Sequence, residues 1–549
     1  MSNATPIIKT IMGMGKTPKI RVKNLLSEDA IKSALVNTAG TLMLTKESPD
    51  EALGELLNEV QHKRVYADGK TFVDLVPRKR LKQIYKEYLV EKQDPNFDLH
   101  EFVGRHFYEF EHDVPTFFSN KENSPRQHIK ELWPVLERKN RRDRGSLIAV
   151  PYPYVVPGGR FVEQYYWDSY FIMLGLAADG EWERVEDMIK NCTYMIRKFG
   201  FIPNANRTYL LSRTQPPFFS HMVRLLARHR NRTLTLLEYL PYMLSEYRFW
   251  MRGKKTLEKM DESSALRRVV RMPDGTMLGR YYDNKKTPRP ESLREDVDTA
   301  LNFQETDPEK LFVDLRAGAE SGWDFSSRWF RDPMDISSIH TTDIVPVDLN
   351  CLLYHLESTI AETYQLMFQP LLARKYRRLA EKRATAISKY LWDENEKFFI
   401  DYDFRLGKRT GRLTLAGVFP LYTKIATPDQ AKAVAKRLEK DFLKKGGLVT
   451  TLLDTGQQWD SPNGWAPLHW VAIHGLREYG YYSLADKIKK RWLKTCEGVY
   501  LREGKMVEKY NVIEPNKPGG GGEYVLQDGF GWTNGVYAAL SEEDSAKNH

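Results

Sequence analysis

Residues 182–200 read WERVEDMIKNCTYMIRKFG, and their apolar positions recur at the spacing of an α-helix. Steps of three or four residues separate the apolar side chains, which places them on one face of a helix with 3.6 residues per turn. Gly200 stands where a glycine commonly ends a helix, because glycine tolerates the left-handed backbone found there. The stretch predicts one amphipathic helix with a buried face of Trp182, Val185, Met188, Ile189, Cys192, Met195, Ile196 and Phe199.

The same helical spacing returns along most of the chain that follows. Few segments alternate with a period of two, and no strand–helix–strand rhythm is present, which argues against a parallel sheet. Successive amphipathic helices joined by long polar loops predict an all-α toroid, in which an inner ring of helices packs inside an outer ring. The further helical stretches are 217–229, 233–252, 348–368, 371–391, 428–443, 465–479 and 482–496.

The first quarter of the chain is patterned less regularly. Leu53, Leu56, Leu57 and Val60 share a helical face. Residues 68–77 predict an extended loop, and residues 81–88 and 129–136 predict short helices. We therefore expect an irregular helical arm that packs onto the toroid. The domain prediction is an N-terminal extension over 1–50, partly disordered, a single catalytic domain with its arm over 51–540, and a polar tail over 541–549.

Composition limits the partners and the compartment. The chain has 549 residues, 41% hydrophobic, and a net charge of +10 with lysine and arginine scattered among acids, which is not a nucleic-acid-binding stripe. It has no apolar run long enough to span a membrane. Its N-terminus lacks the apolar stretch of a signal peptide, so we expect a cytoplasmic monomer, or a periplasmic or secreted protein if a native signal was removed.

Six stretches mix aromatic and charged residues, a combination that suits sugar binding. Flat rings stack on the apolar face of a pyranose, while charged groups hydrogen-bond its hydroxyls. We expect these stretches to lie in loops around one pocket. They are PGGRFVEQYYWDSY (157–170), IPNANRTYLLSRTQPP (202–217), TPRPE (287–291), RAGAESGWDFSSRW (316–329), QWDSPNGWAP (458–467) and VEKYNVIEPNKPGGGGEYVLQDGFGWTN (507–534).

The carboxylates in these stretches are candidates for acid/base chemistry. Asp168, Asp324 and Asp460 each follow a tryptophan, and a carboxyl held against an apolar ring has a raised pKa, as a general acid needs. Glu508 and Glu523 flank a run of four glycines that can flex as a lid does. Glycoside hydrolysis uses two such carboxyls, but the residues alone do not rank the five candidates.

Other chemistries lack their patterns. His469 and His474 are five residues apart rather than four, HExxH is absent, and the three cysteines have no metal-ligand spacing. No GxSxG nucleophile turn is present, and no glycine-rich loop follows a strand. We therefore predict no metal and no cofactor.

At 157–170 and 458–467 the sequence resembles the two signature stretches of the trehalases, family 37 of the glycoside hydrolases. The stretches RAGAESGWDFSSRW and GGGGEYVLQDGFGWTNG look like trehalase as well, and the resemblance covers roughly residues 50 to 537. The family implies an (α/α)6 barrel that hydrolyses α,α-trehalose to two glucoses with inversion at one anomeric carbon. The resemblance therefore makes trehalose the expected small-molecule partner.

The resemblance also ranks the carboxylates. Asp324 resembles the general acid, Glu508 the general base that activates water, and Glu523 a lid residue that closes on substrate. The remaining substrate-binding residues that it implies are Arg160, Phe161, Trp167, Asp168, Asn204, Arg213, Gln215, Arg289, Glu291 and Gly322. Three alternatives stay open: another inverting α-glucosidase on the same toroid, a disaccharide phosphorylase, and a non-catalytic sugar-binding protein.

Overall fold

The computed structural model describes residues 47–117, 119–120, 122–303, 307–523, 526–527 and 529–545. Most of the extension predicted over residues 1–50 therefore lies outside the described chain. The α-helices are α1 (Pro49–Ala52), α2 (Gly54–His62), α3 (Gly69–Asp74), α4 (Leu81–Glu91), α5 (Leu99–His106), α6 (Pro125–Leu136), α7 (Tyr166–Ala178), α8 (Trp182–Phe199), α9 (Phe219–His229), α10 (Arg232–Trp250), α11 (Lys254–Leu257), α12 (Leu293–Leu301), α13 (Pro308–Glu320), α14 (Val347–Leu366), α15 (Pro370–Ala386), α16 (Phe419–Tyr422), α17 (Pro428–Arg437), α18 (Ala466–Glu478), α19 (Tyr482–Glu503) and α20 (Gly531–Ser545).

Six of these helices form a closed inner ring. They are α7, α9, α14, α16, α18 and α20; each contacts the next, and α20 contacts α7. Helices α6, α8, α10, α15 and α19 pack outside it, each against an inner helix, and α17 lies between α15 and α19 in the chain. This arrangement confirms the predicted (α/α)6 barrel.

The two rings differ in how their side chains are buried. Every residue from Tyr166 to Leu176 of inner helix α7 is buried, because this helix has neighbours on all sides. Outer helix α8 buries one face, as its spacing predicts, and ends at Gly200 with φ of +85°. A helix with one exposed face, such as α8, is therefore visible in the sequence as an amphipathic stripe, whereas α7 is not.

The strands are short and lie in the loops between helices. Several are two-residue ladders that pin one loop to another, which is how the long connections are held in place. The paired strands are Val76–Pro77 with Phe107–Tyr108, Glu137–Arg138 with Tyr154–Val155, Val269–Arg271 with Ser264–Leu266 and Met277–Gly279, Tyr402–Asp403 with Ile344–Val345 and Lys408–Arg409, Trp392–Asp393 with Phe398–Phe399, Leu443–Lys444 with Gly447–Leu448, and Asn463–Gly464 with Tyr510–Asn511.

The N-terminal arm, α1 to α5, packs its own apolar cluster against the segment that contains Tyr209 and against Leu293. One part of it differs from the prediction, because residues 69–74 of the expected extended loop form α3. Asp68 caps this helix, accepting hydrogen bonds from Lys70 N at 2.8 Å and Thr71 N at 2.9 Å. The cap turns Lys70 toward the toroid.

Among the longer helices, α5, α7, α12, α13 and α20 were not predicted from the spacing of apolar residues, and Tyr166 to Tyr170 of a stretch expected in a loop lie in α7. Helix α13 ends inside the stretch RAGAESGWD, so Arg316 to Glu320 are helical rather than in a loop. Helix α20 continues to Ser545, into the stretch predicted as a polar tail. Across the part of the chain that is described, no helix is both long enough and apolar enough to cross a membrane.

Candidate active site

A cavity of about 100 Å³ opens at the end of the inner ring where α7, α18 and α20 begin. Every residue predicted as catalytic or substrate-binding lines it, although these residues come from five separate stretches of sequence. The lining also includes residues that were not predicted: Lys70, Tyr165, Tyr209, Leu210, Ser292, Ala319, Trp459, Trp465, Phe530 and Trp532.

Tryptophan rings form much of the apolar wall. The rings of Trp459 and Trp465 stack with centroids 3.8 Å apart, and Trp167 packs on Trp459 at 5.8 Å. Trp532 meets Trp167 edge to face at 5.7 Å. Because each ring is held by the others, the wall presents fixed aromatic surfaces of the kind on which sugar rings stack.

Gly322 lets the backbone approach this wall closely. Its φ is +73°, which favours glycine, and a Cβ atom there would lie 2.8 Å from Cε2 of Trp167. Any side chain at this position would push the indole away. Gly322 therefore sets the approach of the following residues, Trp323 and Asp324, to the pocket.

Arg289 and Glu523 form an ion pair at the cavity. Arg289 Nη2 donates to Glu523 Oε1 at 2.7 Å and to Asp296 Oδ1 at 2.6 Å, and Ser292 Oγ donates to Glu523 Oε2 at 3.0 Å. Burial would lower the pKa of Arg289, but the charges of Asp296 and Glu523 raise it well above its usual range. Glu523, which follows the glycine run, is thus held by Arg289 and Ser292 on another segment of the cavity wall.

Arg213 and Glu291 form a second ion pair in the cavity. Burial alone would raise the pKa of Glu291, but the charges of Arg213 and Arg289 lower it to about 2. Within the described chain, Arg213 Nε and Nη1 and Glu291 Oε2 are buried without a hydrogen-bond partner. Unmet donors and an unmet acceptor side by side match the hydroxyl groups of a sugar, which both donate and accept.

Two aspartates reach the same cavity. Burial raises the pKa of Asp324 to about 7; the charge of Arg289 opposes this shift and that of Glu523 adds to it. Burial, with contributions from the charges of Glu508 and Asp324, raises the pKa of Asp168 well above its usual range. A carboxyl that keeps its proton near neutral pH can act as a general acid.

Glu508 is fixed through its backbone. Its N–H donates to the carbonyl of Gln527 at 3.1 Å, and its carbonyl accepts from Nε1 of Trp532 at 3.0 Å. Glu508 is 1% exposed and lines the cavity together with Asp324. Two carboxyl groups in one pocket are what acid/base cleavage of a glycosidic bond requires.

Asp460, the third aspartate that follows a tryptophan, does not line this cavity. Its carboxylate accepts hydrogen bonds from Ser326 Oγ at 2.7 Å, from Ser327 N at 2.9 Å and from Thr451 Oγ1 at 2.9 Å, and also from Thr455. Since its oxygens are occupied by these donors, Asp460 holds loops together.

Some of the cavity residues that were not predicted could have been found from the sequence, and others could not. Trp459 and Trp465 lie in the quoted stretch 458–467, so their aromatic rings could have been named there. Lys70 comes from the arm, where its Nζ donates to Glu163 Oε1 at 2.9 Å and to the carbonyl of Arg160 at 3.2 Å. The extended loop predicted for 68–77 gave no reason to place it here.

Histidine, cysteine and acidic side chains do not gather into a possible metal site anywhere in the described residues. That no metal or cofactor takes part stays a prediction.

The chain is similar to known proteins in family, sequence and structure. The family model described as Trehalase matches residues 64–543. A periplasmic trehalase of Salmonella agona is 46% identical over 94% of this chain and 93% of its own length, and a putative periplasmic trehalase of Salmonella typhi is 45% identical over the same shares. These matches confirm the resemblance inferred from the motifs.

Solved structures give the same result. The neutral trehalase of Saccharomyces cerevisiae superposes with a TM-score of 0.61 at 26% identity, covering 76% of this chain and 80% of the other. A GH63 mannosylglycerate hydrolase of Thermus thermophilus has a TM-score of 0.50 at 18% identity over 76% of this chain and all of its own, which shows the shared fold alone.

The names of the relatives also correct one expectation. A cytoplasmic location was predicted from the N-terminal sequence, but the Salmonella proteins are named periplasmic trehalases. The prediction of a cytoplasmic protein is therefore wrong.

Proposed function

Since the chain belongs to the trehalase family and is a glycoside hydrolase, we propose that it hydrolyses α,α-trehalose to two glucose molecules by an inverting acid/base mechanism. The observation that carries the proposal is a single cavity in which a carboxyl with a raised pKa, Asp324, meets a second carboxyl, Glu508, among aromatic walls. The arginine–glutamate pairs of the same cavity supply the polar contacts.

Asp324 is the general acid in this proposal. With a pKa of about 7 it carries a proton in a large fraction of molecules at neutral pH, and that proton passes to the oxygen that bridges the two glucose rings. Protonation turns the departing glucose into a neutral leaving group. It leaves as the α-anomer, because its own anomeric bond to oxygen is not broken.

Glu508 is the general base. Its carboxylate takes a proton from a water molecule, and the oxygen of that water attacks the anomeric carbon on the face opposite the leaving group. The attack inverts this carbon and yields β-glucose. The two backbone hydrogen bonds of Glu508 support this role, because a base must be held within hydrogen-bond reach of the water it activates.

The rest of the cavity binds the two rings. Trp167 and Phe161 offer apolar faces, and Arg213 and Glu291 offer the unmet donors and acceptor for hydroxyl groups. Asp168, although its pKa is raised, is assigned here to substrate hydroxyls rather than to proton transfer. Arg160, Asn204, Gln215 and Arg289 complete the proposed polar contacts, and Glu523 closes the cavity through Arg289.

We also propose a periplasmic location for the protein, on the names of its Salmonella relatives. Fractionation of cells that express the natural gene tests this. Activity released with the periplasmic fraction supports it, and activity retained with the cytoplasm contradicts it.

Proton NMR of the first turnovers tests the reaction. We expect one α-glucose and one β-glucose per trehalose, before mutarotation mixes them. Release of α-glucose alone would contradict inversion. A second run with inorganic phosphate detects the alternative phosphorylase, since glucose 1-phosphate would appear there, and a panel of disaccharides detects another α-glucosidase. No product at all would support a non-catalytic sugar-binding protein.

A further inference from the structure

Two motifs that lie far apart in sequence are joined beneath the cavity by a short β-ladder. Asn463 pairs with Asn511 and Gly464 with Tyr510 in antiparallel register. The ladder brings the segment that begins at Gln458 alongside the segment that begins at Glu508. It therefore places the side chain of Gln458 beside the residue that follows Glu508.

Gln458 lies against the backbone at Asp324. Its Nε2 donates to the carbonyl oxygen of Asp324, and the N–H of the next residue, Trp459, donates to the carbonyl of Phe325 at 3.1 Å. These consecutive contacts fix the path of the main chain that carries the Asp324 carboxyl. The amide oxygen of Gln458, Oε1, accepts a hydrogen bond from Nζ of Lys509 at 2.8 Å.

Lys509 continues this chain of contacts to the second carboxyl. Its Nζ donates to Oε2 of Glu508 at 3.2 Å and lies 5.3 Å from the centre of the Trp465 ring. Lys509 is 0% exposed, and neither it nor Gln458 lines the cavity. The hydrogen bonds thus run continuously from Asp324 through Gln458 and Lys509 to Glu508.

The glycine run packs directly on this bridge. A Cβ atom at Gly522 would lie 2.8 Å from Cδ of Gln458, and one at Gly521 would lie 2.4 Å from the carbonyl of Gly456. Asn463 holds Gly520 through both of its backbone groups, at 2.7 and 3.2 Å. The close approach explains why glycines stand here, and it covers the side chain of Gln458.

We propose that Gln458 and Lys509 are positioning residues, which hold the Asp324 and Glu508 carboxyls at the separation that the reaction needs. The inference rests on the proposed function, because it gives these two carboxyls their roles. A buried ion pair is costly to desolvate, and well-packed apolar residues would serve packing alone as well or better. The charge of Lys509 therefore acts on the orientation of Glu508, and the amide of Gln458 ties that orientation to Asp324.

The Lys509→Met variant tests the base side of the bridge. We expect kcat to fall about 10- to 100-fold with KM changed little, since misplacement by about 1 Å can cost about 100-fold. The fall should be the same for α-glucosyl fluoride as for trehalose. Fluoride leaves without a proton from an acid, so this substrate reports on water activation by Glu508. Lys517→Met, which removes an exposed lysine of the same segment, is the matched control.

The Gln458→Glu variant tests the link to Asp324. Glutamate still accepts from Lys509 but no longer donates to the carbonyl of Asp324, so we expect kcat for trehalose to fall by about tenfold with KM changed little. Thermal unfolding shows whether each variant is folded. If Lys509→Met does not fold, Gln458→Glu carries the test alone.

A double-variant cycle separates this inference from the proposed function. In a Glu508→Gln background, Lys509→Met should lower the residual rate no further, because Lys509 acts through Glu508. Folded Lys509→Met and Gln458→Glu variants that each keep kcat within about twofold would overturn the positioning role. Full activity of Glu508→Gln would instead overturn the proposed function itself.

Discussion

Asp324 and Asp460 are both buried aspartates that follow a tryptophan, and they differ in what surrounds the carboxyl. The two tryptophans, Trp323 and Trp459, even stack on each other with ring centroids 5.4 Å apart. Asp460 accepts hydrogen bonds from hydroxyl groups and a backbone N–H, whereas no side chain among the described residues donates to the carboxyl of Asp324.

The comparison shows that the groups around a carboxyl decide its role. The Trp-Asp sequence, which both aspartates share, does not. Burial removes water from both groups, but donors replace the water around Asp460, which makes it a tie between loops. Around Asp324 little replaces the water, so the proton is retained and its pKa rises to about 7. The following predictions test this contrast.

The largest expected effect is on turnover. Asp324→Asn should lower kcat for trehalose by about 1,000-fold or more, since it removes the proposed proton donor. Asp460→Asn, the matched change at the other aspartate, should leave kcat of the folded enzyme within about tenfold. Steady-state assays on both variants measure this, and equal losses would remove the distinction between the two carboxyls.

The second effect is on stability, and we expect it at Asp460 rather than at Asp324. Asp460→Ala should lower the free energy of unfolding by about 3 kcal/mol, because it leaves buried donors at Ser326, Ser327 and Thr451 without their acceptor. Denaturant unfolding measures the loss. Asp454→Ala removes an exposed carboxyl of the same loop and is the control; a change at Asp460 no larger than this control would contradict the structural role.

Asp324→Asn should be more stable than the wild type at alkaline pH. The folded protein keeps the Asp324 proton to about pH 7, while the unfolded chain releases it near 3.8, so wild-type stability falls as pH rises between these values. Asparagine has no such proton. We expect a gain on the order of 2 kcal/mol at pH 8 that disappears near pH 4. If the variant were equally stabilised at pH 4 and at pH 8, the stabilisation would not come from the ionisation of Asp324.

The smallest effect is on the pH profile. The alkaline limb of kcat/KM should lie near pH 7, where Asp324 loses its proton. The charge of Glu523 raises the pKa of Asp324, so Glu523→Gln should move this limb to lower pH, by less than about one unit. Glu514→Gln, at an exposed glutamate, is the control. A shift to higher pH would contradict the assignment.

The outer helices and the inner helices α9, α14 and α18 were predictable from the sequence because apolar residues recur along each of them at helical spacing. Trp182 to Phe199 shows the stripe that this creates. Helix α7 is buried on every side, so its periodicity carries little information, and only the contacts among helices place it inside the ring. The helix at Gly69–Asp74 was missed because the capping by Asp68 outweighs a pattern that looks extended.

The site was predictable as a set of residues and not as a geometry. Motifs named Asp324, Glu508 and their companions, and the fold brings them into one cavity. No spacing in the sequence shows that Asp460 is surrounded by donors or that Lys509 reaches Gln458, because both facts depend on loops that meet through short ladders. Long-range contacts of this kind leave no local signal.

The most direct test of the account compares two substrates in two variants. It measures kcat for trehalose and for α-glucosyl fluoride in Asp324→Asn and in Glu508→Gln. We predict that Asp324→Asn loses trehalose turnover but keeps fluoride turnover within about tenfold of the wild type, since fluoride needs no proton to leave, while Glu508→Gln loses both. Equal loss on both substrates in Asp324→Asn, or fluoride turnover that survives in Glu508→Gln, would contradict the assignment of acid and base.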